Sequence, residues 1–266
     1  MAESISQYPM VDKFLRYLQV EKNTSPLTVK NYAADISLFS NFLAERLGKD
    51  FQWQKIGVLD IRAYLALLNK EKYARTTIAR RISSLRSFYK FLMRENYVEQ
   101  NPFVKVRTPK LEKRLPVFLE ELEINEILTL PDKDTLGLRD QAILELLYAT
   151  GCRVSELVGL MVTNIDLGSQ YVLLLGKGNK ERIVPIGHTC CQAVRQYLQV
   201  TRGALMEKNK TEAHDKVFVN SRGGPLTDRS VRRILDKYIT QLAMQKKGQS
   251  SHDQAYFCHT SFRSWC

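Results

Sequence analysis

Hydrophobic residues in the first hundred positions recur at intervals of three and four, which is the spacing of one buried helix face. Four such stripes predict four helices. Ser25 and Pro26 mark the start of the second helix, because serine caps a first turn and proline fits its first position. The predicted core residues of the four stripes are Val11, Phe14, Leu15 and Leu18; Val29, Tyr32, Ile36, Phe39 and Leu43; Val58, Ile61, Leu65 and Leu68; Ile78, Ile82, Leu85, Tyr89 and Leu92.

The fourth predicted helix has a polar face opposite its hydrophobic stripe, made of Thr76, Arg80, Ser83, Ser87 and Arg94. Arginine mixed with small hydroxyl side chains suits a surface that approaches phosphate groups closely. We therefore predict that Thr76, Arg80, Ser83 and Ser87 contact DNA. The alternative is a helix face that meets only solvent.

The pattern changes after Asn101-Pro102. Residues 105–116 contain two prolines and five basic residues, which predicts an extended, charged linker. Beyond the linker, helices are predicted in EELEINEILTL, GLRDQAILELLYA and HTCCQAVRQYLQV. The second of these is apolar almost all round between Ala142 and Ala149, as in a buried helix. YVLLL and RIVPI predict an antiparallel hairpin, KVFVN a further strand and SRGGP a turn.

Thr227 is predicted to cap a last helix. Its core face contains Val231, Ile234, Leu235, Tyr238 and Leu242, and its other side carries Arg229, Arg233 and Lys237. The predicted fold is therefore mainly α. It has a four-helix amino-terminal domain (residues 1–104), a basic linker (105–116), a second domain of helices with a small antiparallel sheet (117–247) and a tail (248–266).

Composition adds charge to this picture. The 266 residues carry a formal charge of +12, of which +8 lies in residues 1–108. Such an excess favours a polyanionic partner, with nucleic acid ahead of an acidic membrane surface; the alternative is a basic globular protein without a nucleic-acid role. No apolar run approaches the length of a membrane span, and the amino terminus lacks the pattern of a signal peptide, so we expect a cytoplasmic protein. The five cysteines are expected to be free thiols.

Several kinds of site are not expected. GKGNKE lacks the spacing of a phosphate-binding P-loop. His188, Cys190 and Cys191 are metal-ligand types, but adjacent cysteines have poor geometry for one tetrahedral ion. No acidic cluster indicates a two-metal nuclease. We therefore predict no metal and no cofactor.

Two cations remain as candidates for chemistry. Arg153 follows the helix break at Thr150-Gly151, where a charge between apolar helices needs a partner or a substrate anion. Glu156 lies three residues further on and is the alternative partner. Lys177 lies at the tip of the predicted hairpin, where a lysine that meets only solvent is the alternative.

Three stretches in the second half occur in a specific order: ATGCRVSELVGL, GKGNKERIVPIG and FVNSRGGPLTDRSVRRIL. Together with Ser25-Pro26, Thr28, Tyr32 and the basic fourth helix, they resemble the tyrosine recombinase (phage integrase) family, and most closely the bacterial Xer recombinases. The resemblance covers about residues 7–247. It implies that the first domain is a core-binding domain, that the second is a catalytic domain, and that the two clamp opposite faces of a DNA duplex.

The resemblance also implies a reaction. Arg153 matches the first catalytic arginine and Lys177 the catalytic hairpin lysine. A guanidinium can hold the scissile phosphate as charge develops, and a lysine can protonate the departing 5′ oxygen. The nucleophile of the family is a tyrosine that forms a 3′-phosphotyrosyl link, so neither metal nor ATP is needed. Arg229 and Arg233 are further candidates for DNA contact. Chromosome-dimer resolution in a tetramer, with a second Xer-type recombinase as partner, is the implied setting.

The tail departs from the family, which has a His-x-x-Arg box, a later His or Trp and then the tyrosine. His259 and Arg263 are one residue too far apart, and Tyr256 lies too early to be the nucleophile. Read from the second base of the Gly248 codon, with TCN serine codons, the tail allows V-S-P-H-T-I-R-H-T-F-A-T-H-L, which matches the missing box. We therefore expect a frameshift after Lys247 and a catalytic domain that is incomplete at its carboxyl end.

The sequence thus predicts a protein for site-specific DNA cutting and rejoining whose printed chain lacks the nucleophile and does not cleave alone. The tetramer that the resemblance implies depends on a carboxy-terminal helix exchanged between subunits, and we expect this chain to lack that helix. The alternative is a truncated, non-catalytic DNA-binding protein that occupies recombination sites or inhibits an intact partner. A basic helical protein without a DNA role is a third, weaker alternative.

Overall fold

The computed structural model describes residues 8–109, 119–176, 178, 180–209 and 213–249. The described residues fall into two compact units, divided between Lys113 and Arg114, which is a point inside the predicted linker. Each unit has its own hydrophobic core. None of the helices in the described part of the chain is long and apolar enough to cross a membrane.

Beside a 3₁₀ turn at Trp53–Lys55, the described part of the amino-terminal unit contains the four predicted α-helices. They are α1 (Pro9–Val20), α2 (Pro26–Leu47), α3 (Val58–Lys70) and α4 (Arg75–Arg94). The predicted cap of α2 is confirmed, since the backbone N–H of Thr28 donates to Ser25 Oγ (3.3 Å) and Pro26 fills the first helical position. A connected group of aromatic rings lies at the centre of this unit: Phe14, Phe39, Trp53, Phe88, Tyr89 and Phe103.

Most predicted core positions of this unit are buried, but Val58 is exposed. Val58 is the first residue of α3, so it lies at the edge of the core rather than under it. The buried face of α4 is also wider than its apolar stripe, because it includes the polar side chains of Arg81 and Ser84. Hydrophobic spacing alone could not identify these two as interior residues.

The second unit is built from helices around a small sheet. Its elements are α5 (Glu121–Thr129), α6 (Thr135–Thr150), α7 (Val154–Gly159), β1 (Ile165–Asp166), β2 (Tyr171–Leu175), β3 (Glu181–Pro185), α8 (His188–Gln196), α9 (Gly203–Met206) and α10 (Asp228–Gln249). The three strands are antiparallel in the order β1-β2-β3, and Leu173 lies opposite Ile183 in the predicted hairpin. A π-helical turn at Tyr197–Arg202 joins α8 to α9.

Several predictions for this unit are confirmed. Thr227 caps α10, since the Ser230 backbone N–H donates to Thr227 Oγ1 (3.2 Å). All five predicted core residues of α10 are buried. In α6 the predicted burial holds from Ala142 to Leu147 but is wrong for Tyr148 and Ala149, which are exposed in the last turn before the helix ends.

The predicted strand KVFVN is wrong. Residues 216–220 make only two isolated bridges, Met161 with Lys216 and Val219 with Pro225. Side chains and single backbone bonds take the place of a strand partner. Arg202 donates to Lys216 O (2.8 Å), Tyr197 Oη donates to Val217 O (3.0 Å), and the Val217 N–H donates to Leu160 O (3.0 Å). The buried backbone is thereby satisfied without a ladder.

The remaining predictions for this part of the chain concern the linker and the tail. Residues 106–109 of the predicted linker form no helix or strand. Residues 110–118 and the tail from residue 250 onward lie outside the described residues. The domain limits at 104, 116 and 247 stay predictions.

Candidate functional site

Arg153 stands at the junction of α6 and α7. Helix α6 ends at Thr150 and is followed by Gly151, whose left-handed backbone (φ 55°) suits glycine and whose N–H donates to Leu147 O (2.9 Å). Two residues later the chain turns into α7, and Arg153 occupies the position before its first turn. The side chain is 61% exposed. The break predicted at Thr150-Gly151 therefore presents this arginine at the surface.

The buried carboxylate of Glu156 organises this junction. It accepts from the Arg153 backbone N–H (3.0 Å) and from Arg153 Nη1 (3.2 Å). It also accepts two bonds from Arg182 on β3, Nη1 to Oε1 (2.9 Å) and Nη2 to Oε2 (2.7 Å). The Glu156 side chain is only 3% exposed. The pairing of Arg153 with Glu156, one of the two sequence alternatives, thus exists, yet it leaves most of the arginine side chain in solvent.

The junction holds more positive than negative charge. The hydrogen bonds from Arg182 hold the pKa of Glu156 below its usual range although burial acts in the opposite direction. The same bonds raise the pKa of Arg182. One carboxylate therefore faces two guanidinium groups, and the excess positive charge is carried at the exposed Arg153. An anion that reaches this surface meets a fixed, charged donor.

The β2–β3 hairpin begins against the same carboxylate. The Gly176 N–H donates to Lys180 O (2.7 Å) and closes the base of the hairpin. A Cβ atom on Gly176 would lie 3.3 Å from Glu156 Oε1. Lys177 itself lies outside the described residues, so its role stays a prediction. The described neighbours place the base of its hairpin beside the partner of Arg153.

Sequence reasoning missed Arg182. It stands 26 positions from Glu156, and a basic residue in a β-strand carries no signal of its partner. Its place just after the glycine-containing turn of the hairpin could have suggested that it lies near Lys177, but not which carboxylate it binds.

A second surface is formed by α4. Thr76, Arg80 and Ser83 are exposed and Ser87 is half-buried, so the predicted polar face exists. Arg80 donates to the carboxylate of Asp35, a buried residue of α2. Ser84 Oγ donates to the same oxygen of Asp35 (2.9 Å). DNA contact by this face stays a prediction.

Arg94, on the same predicted face, is held differently. It pairs with Glu21 (3.1 Å) and Glu95 (3.0 Å), and its guanidinium lies 4.0 Å from the ring centre of Tyr17. Two carboxylates therefore neutralise this arginine. It adds little positive charge to the surface.

Helix α10 presents two further predicted contacts. Arg229 and Arg233 are exposed, and among the described residues neither is in an ion pair. A buried network holds this helix in place: Tyr238 Oη donates to Asp140 Oδ2 (3.1 Å), and Arg139 donates to Asp140 Oδ1 (2.6 Å). The basic face of α10 is thereby fixed to α6.

The three residues of metal-ligand type named from the sequence differ in burial. Cys190 and Cys191 are buried, whereas His188 is exposed and bonds to Gln192 (2.8 Å). Burial raises the pKa of Cys190 to about 12, so this thiol keeps its proton. In the described part of the chain, no three His, Cys, Asp or Glu side chains are grouped as metal ligands would be.

Comparison with known proteins identifies the class. The profile of the Phage integrase family matches residues 117–254, and that of the phage integrase N-terminal SAM-like domain matches residues 11–96. The chain belongs to the phage integrase family, whose members are tyrosine recombinases. The resemblance inferred from the motifs is confirmed.

Within this family, the chain is similar to proteins named Tyrosine recombinase XerC. The chain is 42% identical over 239 residues to Tyrosine recombinase XerC of Halalkalibacterium halodurans, a match that covers 89% of this chain and 78% of that protein. It is 42% identical over 253 residues to Tyrosine recombinase XerC of Bacillus subtilis, with 95% and 81% covered. Among solved structures, the Tn1549 transposon integrase in complex with circular intermediate DNA is similar, with a TM-score of 0.63 at 16% identity and 94% and 83% covered. This structural likeness confirms the mainly helical fold.

Proposed function

We propose that this chain acts in site-specific DNA recombination of the Xer type. The observation that carries the proposal is the junction of α6 and α7, where Arg153 is exposed and charged while Arg182 neutralises the buried Glu156. An arginine held in this way suits the scissile phosphate of a DNA strand. The XerC relatives and the basic amino-terminal unit support a DNA substrate.

The proposed reaction exchanges one phosphodiester bond for another. A tyrosine hydroxyl gives up its proton to water as its oxygen bonds to phosphorus, the bond from phosphorus to the 5′ oxygen breaks, and Lys177 gives that oxygen a proton. Arg153 stabilises the non-bridging oxygens as their charge rises. The phosphotyrosyl link keeps the bond energy for rejoining, so neither metal nor ATP takes part. Removal of one such preorganised donor commonly costs about 10²–10³ in rate.

The more specific part of the proposal is that this chain does not supply the tyrosine nucleophile. Tyr256 is the one tyrosine of residues 248–266, and its surroundings do not match the nucleophile pattern of the family. We therefore propose that the 266-residue chain binds DNA but does not cleave it alone. Its relation to intact recombinases would come from a shifted reading frame after Lys247. Serine codons of the AGY type in the tail of the gene would contradict this origin.

The DNA surface in this proposal has two parts. Thr76, Arg80, Ser83 and Ser87 on α4 approach phosphates in the amino-terminal unit. Arg229 and Arg233 do so on α10. Small hydroxyl side chains beside arginine let the backbone of a helix come close to the duplex, which is why these residue types favour DNA over a general anion.

A nicked suicide duplex tests the proposal, because release of a short 5′ fragment traps any covalent adduct. We expect the 266-residue chain to retard the duplex on a native gel and to form no adduct on a denaturing gel. An intact tyrosine recombinase with its own nicked site is the positive control. An adduct would contradict the absence of a nucleophile, and the absence of retardation at low salt would contradict a DNA role.

A non-catalytic role is the second candidate function, and the mismatched tail favours it. In this role the chain would occupy recombination sites or inhibit an intact partner. For the recombinase function, the expected setting is cytoplasmic, with a second Xer-type recombinase as partner and chromosome-dimer resolution as the process. Addition of the chain to an intact recombinase would then lower the yield of adduct on a shared site.

A further inference from the structure

The buried carboxylate of Asp35 has two arginines around it, one exposed and one buried. Arg80 donates to Asp35 Oδ2, and its side chain is 42% exposed. Arg81 Nε lies 3.7 Å from Asp35 Oδ1. Among the described residues Asp35 is the only partner of Arg80. One nitrogen of Arg80 is therefore held while much of its side chain remains exposed.

Arg81 is the unusual member of this cluster. It is 9% exposed, and its Nε and Nη1 atoms are buried without a hydrogen-bond partner. Its guanidinium carbon lies 3.9 Å from the ring centre of Tyr73. Burial of a guanidinium nitrogen without a hydrogen bond is costly. The attraction between the positive charge of Arg81 and the Asp35 carboxylate offsets this cost, and so does the attraction between that charge and the face of the Tyr73 ring. The contribution of Arg81 to the cluster is therefore electrostatic.

The charge balance of the cluster differs from that of an ordinary ion pair. Arg46 and Asp60 form such a pair in the same unit: Arg46 Nε lies 3.3 Å from Asp60 Oδ1 and the arginine side chain is 47% exposed. There one guanidinium meets one carboxylate. Around Asp35 two guanidinium groups meet one carboxylate, so one positive charge is left, and Arg80 carries it to the surface.

We propose that Arg81 is a positioning residue that neutralises Asp35 from within the core, so that Asp35 can hold Arg80 in place without cancelling its charge toward a DNA phosphate. The proposal rests on the proposed function, since it assumes that the polar face of α4 meets DNA. Arg81 itself is too deeply buried to touch the duplex.

The junction at Glu156 shows the same arrangement independently. Glu156 is buried, Arg182 binds it through both nitrogens, and Arg153 remains largely exposed. In each unit, a carboxylate that would otherwise neutralise an exposed arginine is shared with a second arginine. The carboxylate can thus orient the exposed arginine while the second arginine, rather than the exposed one, balances its negative charge.

The salt dependence of DNA binding tests this proposal. The probe is a short fluorescein-labelled duplex of mixed sequence, and the affinity of the 266-residue chain is measured over a salt series. Each phosphate contact contributes about 0.9 to the slope of log K against log salt. We expect Arg80→Ala to lower the slope by about one contact, and Arg81→Met to lower it by the same amount although Arg81 is buried. Arg46→Ala is the matched control, since its charge is already cancelled.

The double variant Asp35→Asn with Arg81→Met removes both buried charges together. We expect its slope to equal that of the wild type, because Arg80 keeps its charge. This variant also covers the case in which Arg81→Met alone fails to fold, as judged by circular dichroism. If Asp35 cancels Arg80 in the wild type instead, the slope of the double variant rises.

The outcomes separate the two proposals. If Arg80→Ala lowers the slope but Arg81→Met does not, the charge-balancing role of Arg81 is wrong while the DNA-binding face stands. A steeper slope in the double variant also contradicts the role of Arg81. If Arg80→Ala leaves the slope unchanged, the DNA-binding face is wrong, and the role of Arg81 falls with it.

Discussion

Single charged side chains determine what each surface offers to an anion. Arg153 and Arg80 were identified from the sequence because each is a cation beside a helix break or on a polar helix face. Their carboxylate partners were only partly identified. Glu156 lies three positions from Arg153 and could be named, whereas Asp35 lies 45 positions from Arg80 and could not. Residue types reveal a candidate cation, but the fold decides how much of its charge remains free.

The acid dependence of stability should report on Glu156. Its pKa is lower in the folded protein, so it binds fewer protons folded than unfolded and stabilises the fold above its ordinary, unfolded pKa. This stability is lost as the pH falls through the lower, folded pKa. We expect thermal unfolding of the second unit to shift downward over that interval, and Glu156→Gln to remove this part of the profile.

Circular dichroism from pH 7 downward measures this effect, and Glu121→Gln is the control because Glu121 is exposed in the same unit. A profile for Glu156→Gln that runs parallel to the wild type would contradict a lowered pKa. Arg182→Lys keeps the charge but loses the paired hydrogen bonds. It should therefore change the pH dependence of the unfolding temperature less than Arg182→Ala does.

Secondary-structure elements were predicted well wherever the sequence carries both a period and a boundary. The helices α1 to α4 and α10 have a stripe at helical spacing, and α2 and α10 have a capping residue as well. The segment KVFVN carries only an apolar run, which fits any buried chain. Its backbone bonds come partly from the side chains of Tyr197 and Arg202 and partly from backbone groups such as Leu160 O, all of which lie elsewhere in the chain. Such long-range satisfaction of a buried backbone has no local signal in the sequence.

The cap of α2 makes a measurable contribution. Ser25→Ala removes the acceptor for the Thr28 N–H, and we expect a loss of about 1 kcal/mol in the free energy of unfolding of the amino-terminal unit. Urea unfolding followed by the fluorescence of the buried Trp53 measures it, in a background with Trp265→Phe so that one tryptophan reports. Ser83→Ala, an exposed mid-helix change in the same unit, is the control. Equal stability of the two variants would contradict the capping role.

Across the whole molecule, the fold decides how much of the net positive charge is available to an anion. The excess of +8 in the first 108 residues is spread over a helical unit whose described arginines are partly neutralised, as at Arg46 and Arg94. Net charge alone therefore overstates the number of free cations. The family match extends over both units, at residues 11–96 and 117–254.

Whether these arginines meet the same ligand can be measured by chemical labelling. Phenylglyoxal modifies accessible guanidinium groups, and mass spectrometry after digestion reports the rate at each arginine with and without duplex DNA. We expect DNA to slow modification of the exposed arginines of both units, namely Arg80, Arg153, Arg229 and Arg233. Arg46 and Arg62, which are exposed but outside the proposed surface, should react at unchanged rates. Equal protection of all arginines, or protection of Arg46 and Arg62 alone, would contradict the proposed DNA-binding surface.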